Sequence, residues 1–286
     1  MSSANIPYVE ELKRRNEQCR DAWNLHEGHR AQVTRLLREA AGEAAKPRRL
    51  AALGAGNCND LDLAALLGDF DELHLVDLDA AALRDGVARQ HLDKATTIKK
   101  HGRMDVTGCL SQLAADLHPD NADDERIQSW IAKINALPPF PQPSPFNVVV
   151  SLCLLTQVSE IALLLVGGPK HPRGNDLLFA LRNHHLRKLL EMTRPGGITL
   201  LLTDIVSSFT FPNLTILNDS DLANAMYQQV ALKNFFTGTN PYALESRFKQ
   251  EPTLNDRVAS VEILAPWRWN QGNRTLLVSG LKIRTK

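Results

Sequence analysis

Over residues 7–45, Val9, Leu12, Cys19, Trp23, Val33, Leu36 and Leu37 recur among charged neighbours, with no β-rich run and no proline after Pro7. This spacing predicts two amphipathic helices joined near residues 26–29. Residues 49–53 then make a short apolar run that opens directly into Gly54-Ala55-Gly56-Asn57, followed by helical spacing over residues 60–67. That is a strand, a glycine turn and a helix. Residues 72–76 alternate and end at Asp77, and a further helix is expected over residues 80–90. A short third strand is expected within residues 98–105.

The segment 110–146 breaks this rhythm, because a helical piece near residues 127–137 runs into Pro138, Pro139, Pro141, Pro143 and Pro145. Prolines cannot donate ladder hydrogen bonds, so this is read as a stiff connector to the next strand. That strand, residues 147–152, is apolar almost throughout, as a strand buried on both faces should be. Helices are expected over residues 158–166 and 176–192, the second stopped by Arg194-Pro195-Gly196-Gly197 ahead of another buried strand at 198–205. Helices over 220–236 and 241–249 precede two strands, 258–264 and 275–283, around the turn Asn270-Gln271-Gly272-Asn273. Alternating strands and helices predict a mostly parallel sheet, since each crossover returns the chain to the same edge. The last two strands share a short turn and must pair antiparallel.

Composition narrows the class. A chain of 286 residues, 43% apolar, can bury a full core as one large domain with an appendage, read here as a helical extension or lid over residues 1–47 and a main domain over 48–286. With 33 Lys and Arg against 32 Asp and Glu, there is no basic footprint, so nucleic acid is not the expected partner. Cys19, Cys58, Cys109 and Cys153 are scattered without a CxxC pair and no charged-apolar-small leader opens the chain, so no metal is expected and a reducing cytoplasm fits best. The most apolar runs, 148–155 and 161–166, fall short of the roughly 20 residues of a membrane span. A soluble protein is expected.

Gly54 and Gly56 stand where a strand ends and a helix begins, so the backbone can turn tightly and approach a ligand. A GxG alone equally marks a plain turn. Asp77, about 20 residues on at the end of the next strand, raises the cofactor reading, because an acid there can accept hydrogen bonds from both ribose hydroxyls. Asp79 falls one step further, where capping the next helix is expected. A dinucleotide fingerprint would need glycine at position 59, which is Asn59. Asn57, Asn59 and Asp60 instead suit an amino-acid end, although Asn59 or Asp60 equally suits a helix cap. Cys58 has no histidine beside it in sequence and is read as packing.

From Arg48 to the C-terminus the chain resembles the class I S-adenosylmethionine-dependent methyltransferases. Residues 51–57 look like their first motif, residues 73–83 like the second with its ribose-binding acid at Asp77, and His101-Gly102-Arg103-Met104-Asp105-Val106 like the third. Residues 147–154 resemble the fourth, and residues 186–202 are similar to the helix, proline-glycine turn and fifth strand. The resemblance implies an α/β three-layer Rossmann-like sandwich with a mostly parallel seven-stranded sheet, a C-terminal antiparallel hairpin and S-adenosylmethionine as cofactor. It assigns cofactor contacts to Gly54, Ala55, Gly56, Asn57, Asp77, Leu78, Asp105, Val106, Leu152 and Cys153, with Asp105 meeting the adenine amine. Two departures stand out. The family commonly has an acid two residues before the first glycine, here Ala52, and a glycine at the position of Cys58.

Methyl transfer from a sulfonium is an in-line displacement, so alignment and removal of an acceptor proton are what a protein adds. No universal catalytic residue is implied. Ser151-Leu152-Cys153-Leu154-Leu155-Thr156-Gln157 differs from the Asn/Asp-Pro-Pro-Tyr/Phe of enzymes that methylate base or amide nitrogens, which disfavours those acceptors. The catalytic candidates are Gln157, Asp204 and Tyr242, Thr156 being either a contact or a cap. His184 and His185, among Arg182, Arg187 and Lys188, read as a solvated face. Tyr8, Trp23, His26 and His29 form a group that either shapes an acceptor pocket from a lid or is structural, Trp23 as packing, with Tyr242 and Trp267-Arg268-Trp269 as the other wall or as surface packing of the hairpin. The expected function is methyl transfer to a small-molecule acceptor, with no nucleic acid or membrane partner. Aminopropyl or aminocarboxypropyl transfer on the same fold, and S-adenosylmethionine binding without catalysis, are the alternatives.

Overall fold

The computed structural model describes residues 7–138 and 145–286, the side chains of Pro7 and Tyr8 excepted. Tyr8 as a pocket residue and most of the proline connector therefore lie outside the described residues. Seven strands form one sheet in the order β3-β2-β1-β4-β5-β7-β6, with β1 Arg49–Leu53, β2 Glu72–Val76, β3 Ile98–His101, β4 Phe146–Leu152, β5 Thr193–Ser207, β6 Val258–Asn270 and β7 Thr275–Thr285. The first five are mutually parallel, while β7 runs antiparallel to β5 and β6 antiparallel to β7. This is the expected Rossmann-like α/β sandwich, with its C-terminal hairpin inserted beside the fifth strand. Arg194 to Gly197 does not break away from that strand. It remains within β5, with a register shift opposite Phe146 and Val148.

Leu50, Ala52, Leu73, Leu75, Val148, Val150, Leu200 and Leu202 carry one face of the sheet, with Trp267, Leu276 and Val278 of the hairpin. Helices α2 (Glu27–Glu43), α3 (Leu63–Leu66) and α4 (Ala80–Arg89) cover it. Val33, Leu36, Leu37, Ala40 and Ala41 put α2 fully into this core, so the second N-terminal helix is a layer of the sandwich. The break between the first two helices falls at residues 19–26, earlier than residues 26–29, which leaves His29 inside α2. The other face, with Ala51, Leu53, Val149 and Leu201, meets α8 (Gly174–Met192) and α10 (Pro241–Gln250). Helices α5 (Leu110–Asp116), α6 (Asp124–Asn135), α7 (Leu154–Leu165) and α8 bury a further cluster, against which Val9 and Leu12 of α1 (Pro7–Gln18) pack. The remaining helices are α9 (Leu222–Ala231) and α11 (Pro252–Asn255).

His184 and His185 correct an expectation. Both are buried, as are Arg182 and Lys188, because α8 is packed on both sides, between the sheet and α6 and α7. His185 Nε2 pairs with the buried Ser151 Oγ of β4 at 2.9 Å, and burial pushes both imidazoles down to about 4. They are neutral structural groups. Trp267 and Trp269 are likewise buried in β6 and are not surface packing. No helix among the described residues is long and apolar enough to cross a membrane.

Candidate functional site

β1 ends at Leu53, and the chain turns through Gly54 at φ +77° and Gly56 at φ +45°, conformations that glycine adopts without a Cβ penalty. The amides of Gly54 and Ala55 both donate to Val76 O at the end of β2 (2.9 and 3.2 Å). The Gly56 N–H donates to Asp77 Oδ2 and the Asp79 N–H to Asp77 Oδ1, each at 2.8 Å. Turn and carboxylate therefore meet directly, as the spacing predicted. Burial pushes Asp77 up to about 6, against the opposing pull of these amides. The Leu78 amide faces the same carboxylate, and of its roughly four acceptor positions part remains for ligand hydroxyls. Met104 N–H donates to Asp77 O at 3.1 Å and brings Asp105 and Val106 to the same edge. Asp79 caps α4 by accepting from Ala81 and Ala82, as expected.

Helix α1 crosses above this turn. Arg15 forms a bidentate pair with Glu160 (2.6 and 2.7 Å), Asn16 Nδ2 donates to Asp79 Oδ2 at 3.2 Å, and Asn57 Nδ2 donates to Asn16 O at 2.6 Å. A Cβ placed on Gly56 would meet Asn16 Oδ1 at 3.2 Å and Asp77 Oδ2 at 3.9 Å. The side chain nearest the space between turn and acid thus comes from the cover and not from the sheet.

The residues after the turn are committed locally. Cys58, standing where the family commonly has glycine, adopts φ +55° and is fully buried, so the left-handed backbone is kept at some cost in strain. Asn59 donates to Cys19 O and accepts from Arg89, both at 2.7 Å. Neither Asn59 nor Asp60 caps the next helix. Asp62 does, ahead of a helix of only four residues where spacing had suggested eight. Asp60 instead faces His26 Nδ1 at 2.8 Å and His29 Nε2 at 3.8 Å, a cluster that only the fold assembles. The close approach lost with the third glycine is recovered elsewhere, since a Cβ on Gly86 of α4 would lie 2.2 Å from Asn57 O.

Asp204 near the end of β5 pairs in register with Val278, which pairs with Trp267, so the three occupy one row on the α2 face. It is buried and accepts from Thr156 Oγ1 at 2.9 Å. Thr156 also donates to Cys153 O at 3.3 Å, joining the first turn of α7 to β5. Cys153 takes φ +49° where β4 meets α7, and burial, with Asp204 and Asp60 adding to it, raises its thiol well above the ordinary value. Ala52 leaves no acid in β1, while Asp60 and Asp204 bring negative charge to its carboxyl edge. Burial pushes Asp204 up to about 6.

With a folded pKa above the unfolded value of 3.8, Asp204 binds its proton more readily in the native state, so its contribution to stability falls as pH rises from about 4 through 6. Asp204→Asn, which keeps an oxygen for Thr156, is expected to be more stable than wild type by about 2 kcal/mol at pH 7.5 and equal to it near pH 4. Denaturant melts at the two pH values measure this. A variant less stable at pH 7.5 would mean that the carboxylate has a compensating partner.

The remaining expected contacts are distributed unevenly. Leu152 and Cys153 lie beside β1, where Leu53 pairs with Ser151, and Leu78 packs against the α5 to α8 cluster. Asp105 Oδ1 accepts from Thr107 N and Oγ1 and its Oδ2 from Leu110 N (2.7–2.8 Å), so it holds the start of α5 and keeps one acceptor position open. Val106 packs with the α8 and α10 side. Tyr242 is not brought to the turn. It packs with Ile205 and Leu277 and edge-on to Tyr227 at 6.1 Å, on the face opposite Asp204. Gln157 follows Thr156 in α7, half-buried. Trp23 lies under the Arg30 guanidinium, 3.5 Å from the ring centroid, which fits packing. Among the described residues no group of His, Cys, Asp and Glu is arranged to hold a metal.

No protein-family model matches the chain, and no curated protein matches it. Among solved structures it is similar to the N-methyltransferase NodS from Bradyrhizobium japonicum WM9, at 10% identity and TM-score 0.46 over 92% of this chain and 97% of that one. It is also similar to SMU.1697c, a putative methyltransferase from Streptococcus mutans in complex with SAH, at 13% identity and TM-score 0.41 over 87% and 96%. SAM-bound CalS10, an amino pentose methyltransferase from Micromonospora echinaspora, gives 17% identity and TM-score 0.35 over 68% of this chain, which spans 55% of CalS10's own length. All three scores lie below 0.5, and the fold of this chain rests on its own strand pairing.

Proposed function

We propose that this chain is an S-adenosylmethionine-dependent methyltransferase acting on a small-molecule acceptor. The observation that carries the reading is the hydrogen bond from Gly56 N–H to Asp77 Oδ2 at 2.8 Å, which sets a glycine turn against a carboxylate at the carboxyl edge of the sheet. The residues present fit an adenosyl group: Asp77 keeps acceptor capacity for ribose hydroxyls, Leu78, Asp105 and Val106 stand on the side for a base, and the turn from Gly54 to Asn57 offers amides and an amide side chain to an amino-acid end. Leu152 and Cys153 would flank the transferable methyl. The cofactor supplies a sulfonium methyl, already electrophilic, and the chain supplies alignment, exclusion of water beneath α1 and an exit for a proton.

A small acceptor is supported by the cover that α1 makes and by a cavity of about 230 Å³ on the α2 side of the hairpin, lined by Leu25, His29, Thr215, Arg268, Asn270 and Thr275. Aminopropyl transfer is disfavoured because the one acid soon after β4, Glu160, is already paired with Arg15. Incubating the protein with labelled donor and a metabolite extract tests the proposal. S-adenosylhomocysteine is the expected product; methylthioadenosine would replace methylation with alkyl transfer, and tight binding with neither product would make the chain a binder only.

A further inference from the structure

Resting on that reading, we infer that His26 is the general base of the transfer and Asp60 its positioning residue. Asp60 Oδ1 lies 2.8 Å from His26 Nδ1, and the Asp60 side chain is largely enclosed. Burial works to raise its carboxyl, but the hydrogen bond to His26 and the Arg30 charge oppose this, and it is held below the ordinary range. An ionised carboxylate only accepts, so Nδ1 carries the hydrogen and Nε2 keeps its lone pair. Among the described residues no hydrogen bond reaches that Nε2.

The supporting residues fix this arrangement. Trp267 Nε1, which can only donate, bonds His29 Nδ1 at 3.0 Å, so the neutral His29 carries its hydrogen on Nε2, toward Asp60. Burial keeps His29 neutral, its pKa lowered to about 4. His29 stacks on Trp269 at 4.1 Å, and Trp269 meets the His26 ring edge-on at 5.1 Å. The Trp269 indole N–H is buried with no acceptor among the described residues, a donor suited to an oxygen of a ligand. The cavity on the α2 side reaches His29, and Asp60 is close enough to raise the Cys153 thiol at the end of β4. Through His29 the cluster borders the cavity, and through Asp60 it bears on the end of β4, beside which the methyl is expected.

An acceptor that must lose a proton on methylation, a hydroxyl compound or an amine, fits such a base. Its lone pair forms the bond to the methyl carbon, the carbon–sulfur bond breaks with both electrons left on sulfur, and its proton passes to His26 Nε2, giving an imidazolium opposite Asp60.

Long-range proton–nitrogen spectra of histidine-labelled protein read the tautomers without any substrate. His26 is expected as the Nδ1–H form and His29 as the Nε2–H form. Asp60→Ala should release His26 from that tautomer, whereas Asp60→Asn, which keeps an acceptor oxygen, should retain it, so a merely structural loss is distinguished. Diethyl pyrocarbonate, which acylates a reachable unprotonated nitrogen, should modify His26 ahead of His29, His184 and His185. A wild-type His26 in the Nε2–H form, or one left intact at a dose that modifies the exposed His91, would overturn the inference. Calorimetry with S-adenosylhomocysteine separates it from the reading beneath it. His26→Gln should bind as wild type does, and a wild type that binds none would sink the methyltransferase proposal while leaving the tautomers as found.

Discussion

Asp77→Ala is expected to weaken S-adenosylhomocysteine binding at least a hundred-fold, measured by calorimetry on a variant shown by circular dichroism to be folded. Two ribose hydroxyls donating to one ionised carboxylate are each worth roughly 1.5–3 kcal/mol. A second loss adds to this, because the Gly56 and Asp79 amides are deprived of their acceptor at the same moment. The turn that should meet the amino-acid end is then no longer held to the acid that should meet the ribose. The same carboxyl gives a pH signature with a definite sign. Burial pushes Asp77 up to about 6, and hydroxyl donors prefer its ionised form, so wild-type affinity should fall between pH 7.5 and pH 5 while the alanine variant shows no comparable fall. Unchanged affinity in the variant would remove the ribose assignment and with it the main support for an adenosyl ligand.

Those residues were legible because each is read from its neighbours along the chain. A short apolar run, two glycines and an acid at the end of the next strand describe a local path, and strand–turn–helix geometry does the rest. Asp79 was likewise predictable as a cap, since capping involves the next three residues. The His26–Asp60 contact joins positions on either side of β1, and no periodicity announces it. The sequence offered Asp60 only as a contact for an amino-acid end or as a helix cap, and His26 only as one of a group shaping a pocket, with nothing to join the two. Helix α8 shows the converse failure. Charged residues in its later turns looked solvent-facing, but a helix sandwiched between a sheet and other helices buries polar side chains too, some with a partner, as His185 has in Ser151, and some without one among the described residues, as at His184 Nε2. For Trp267 and Trp269 the sequence left a pocket wall and surface packing equally open, and burial excludes the second: β6 is longer than its apolar alternation, continuing through a register shift near Leu264 that carries both indoles into the core.

Gly86→Ala is expected to cost about 3 kcal/mol of stability, although within a helix the exchange would ordinarily gain close to 1 kcal/mol. Gly86 lies inside α4, and a Cβ there would sit 2.2 Å from Asn57 O, 2.5 Å from Asn57 C and 3.1 Å from Cys58 Cβ. Two of these are main-chain atoms, which cannot rotate aside as a side chain can, so either α4 must retreat or the peptide after the glycine turn must move. Gly42 of α2 is the matched control, since a Cβ there meets nothing within 4 Å, and Gly42→Ala should be neutral or stabilising. Urea denaturation of the two variants separates propensity from contact. Because Asn57 also holds α1 through the Asn16 carbonyl, the Gly86 variant should in addition bind S-adenosylhomocysteine more weakly, whereas the Gly42 variant should not. Equal stability of Gly86→Ala and wild type would mean that α4 does not press on the turn, and that the third glycine of a nucleotide-binding helix has no substitute in this chain.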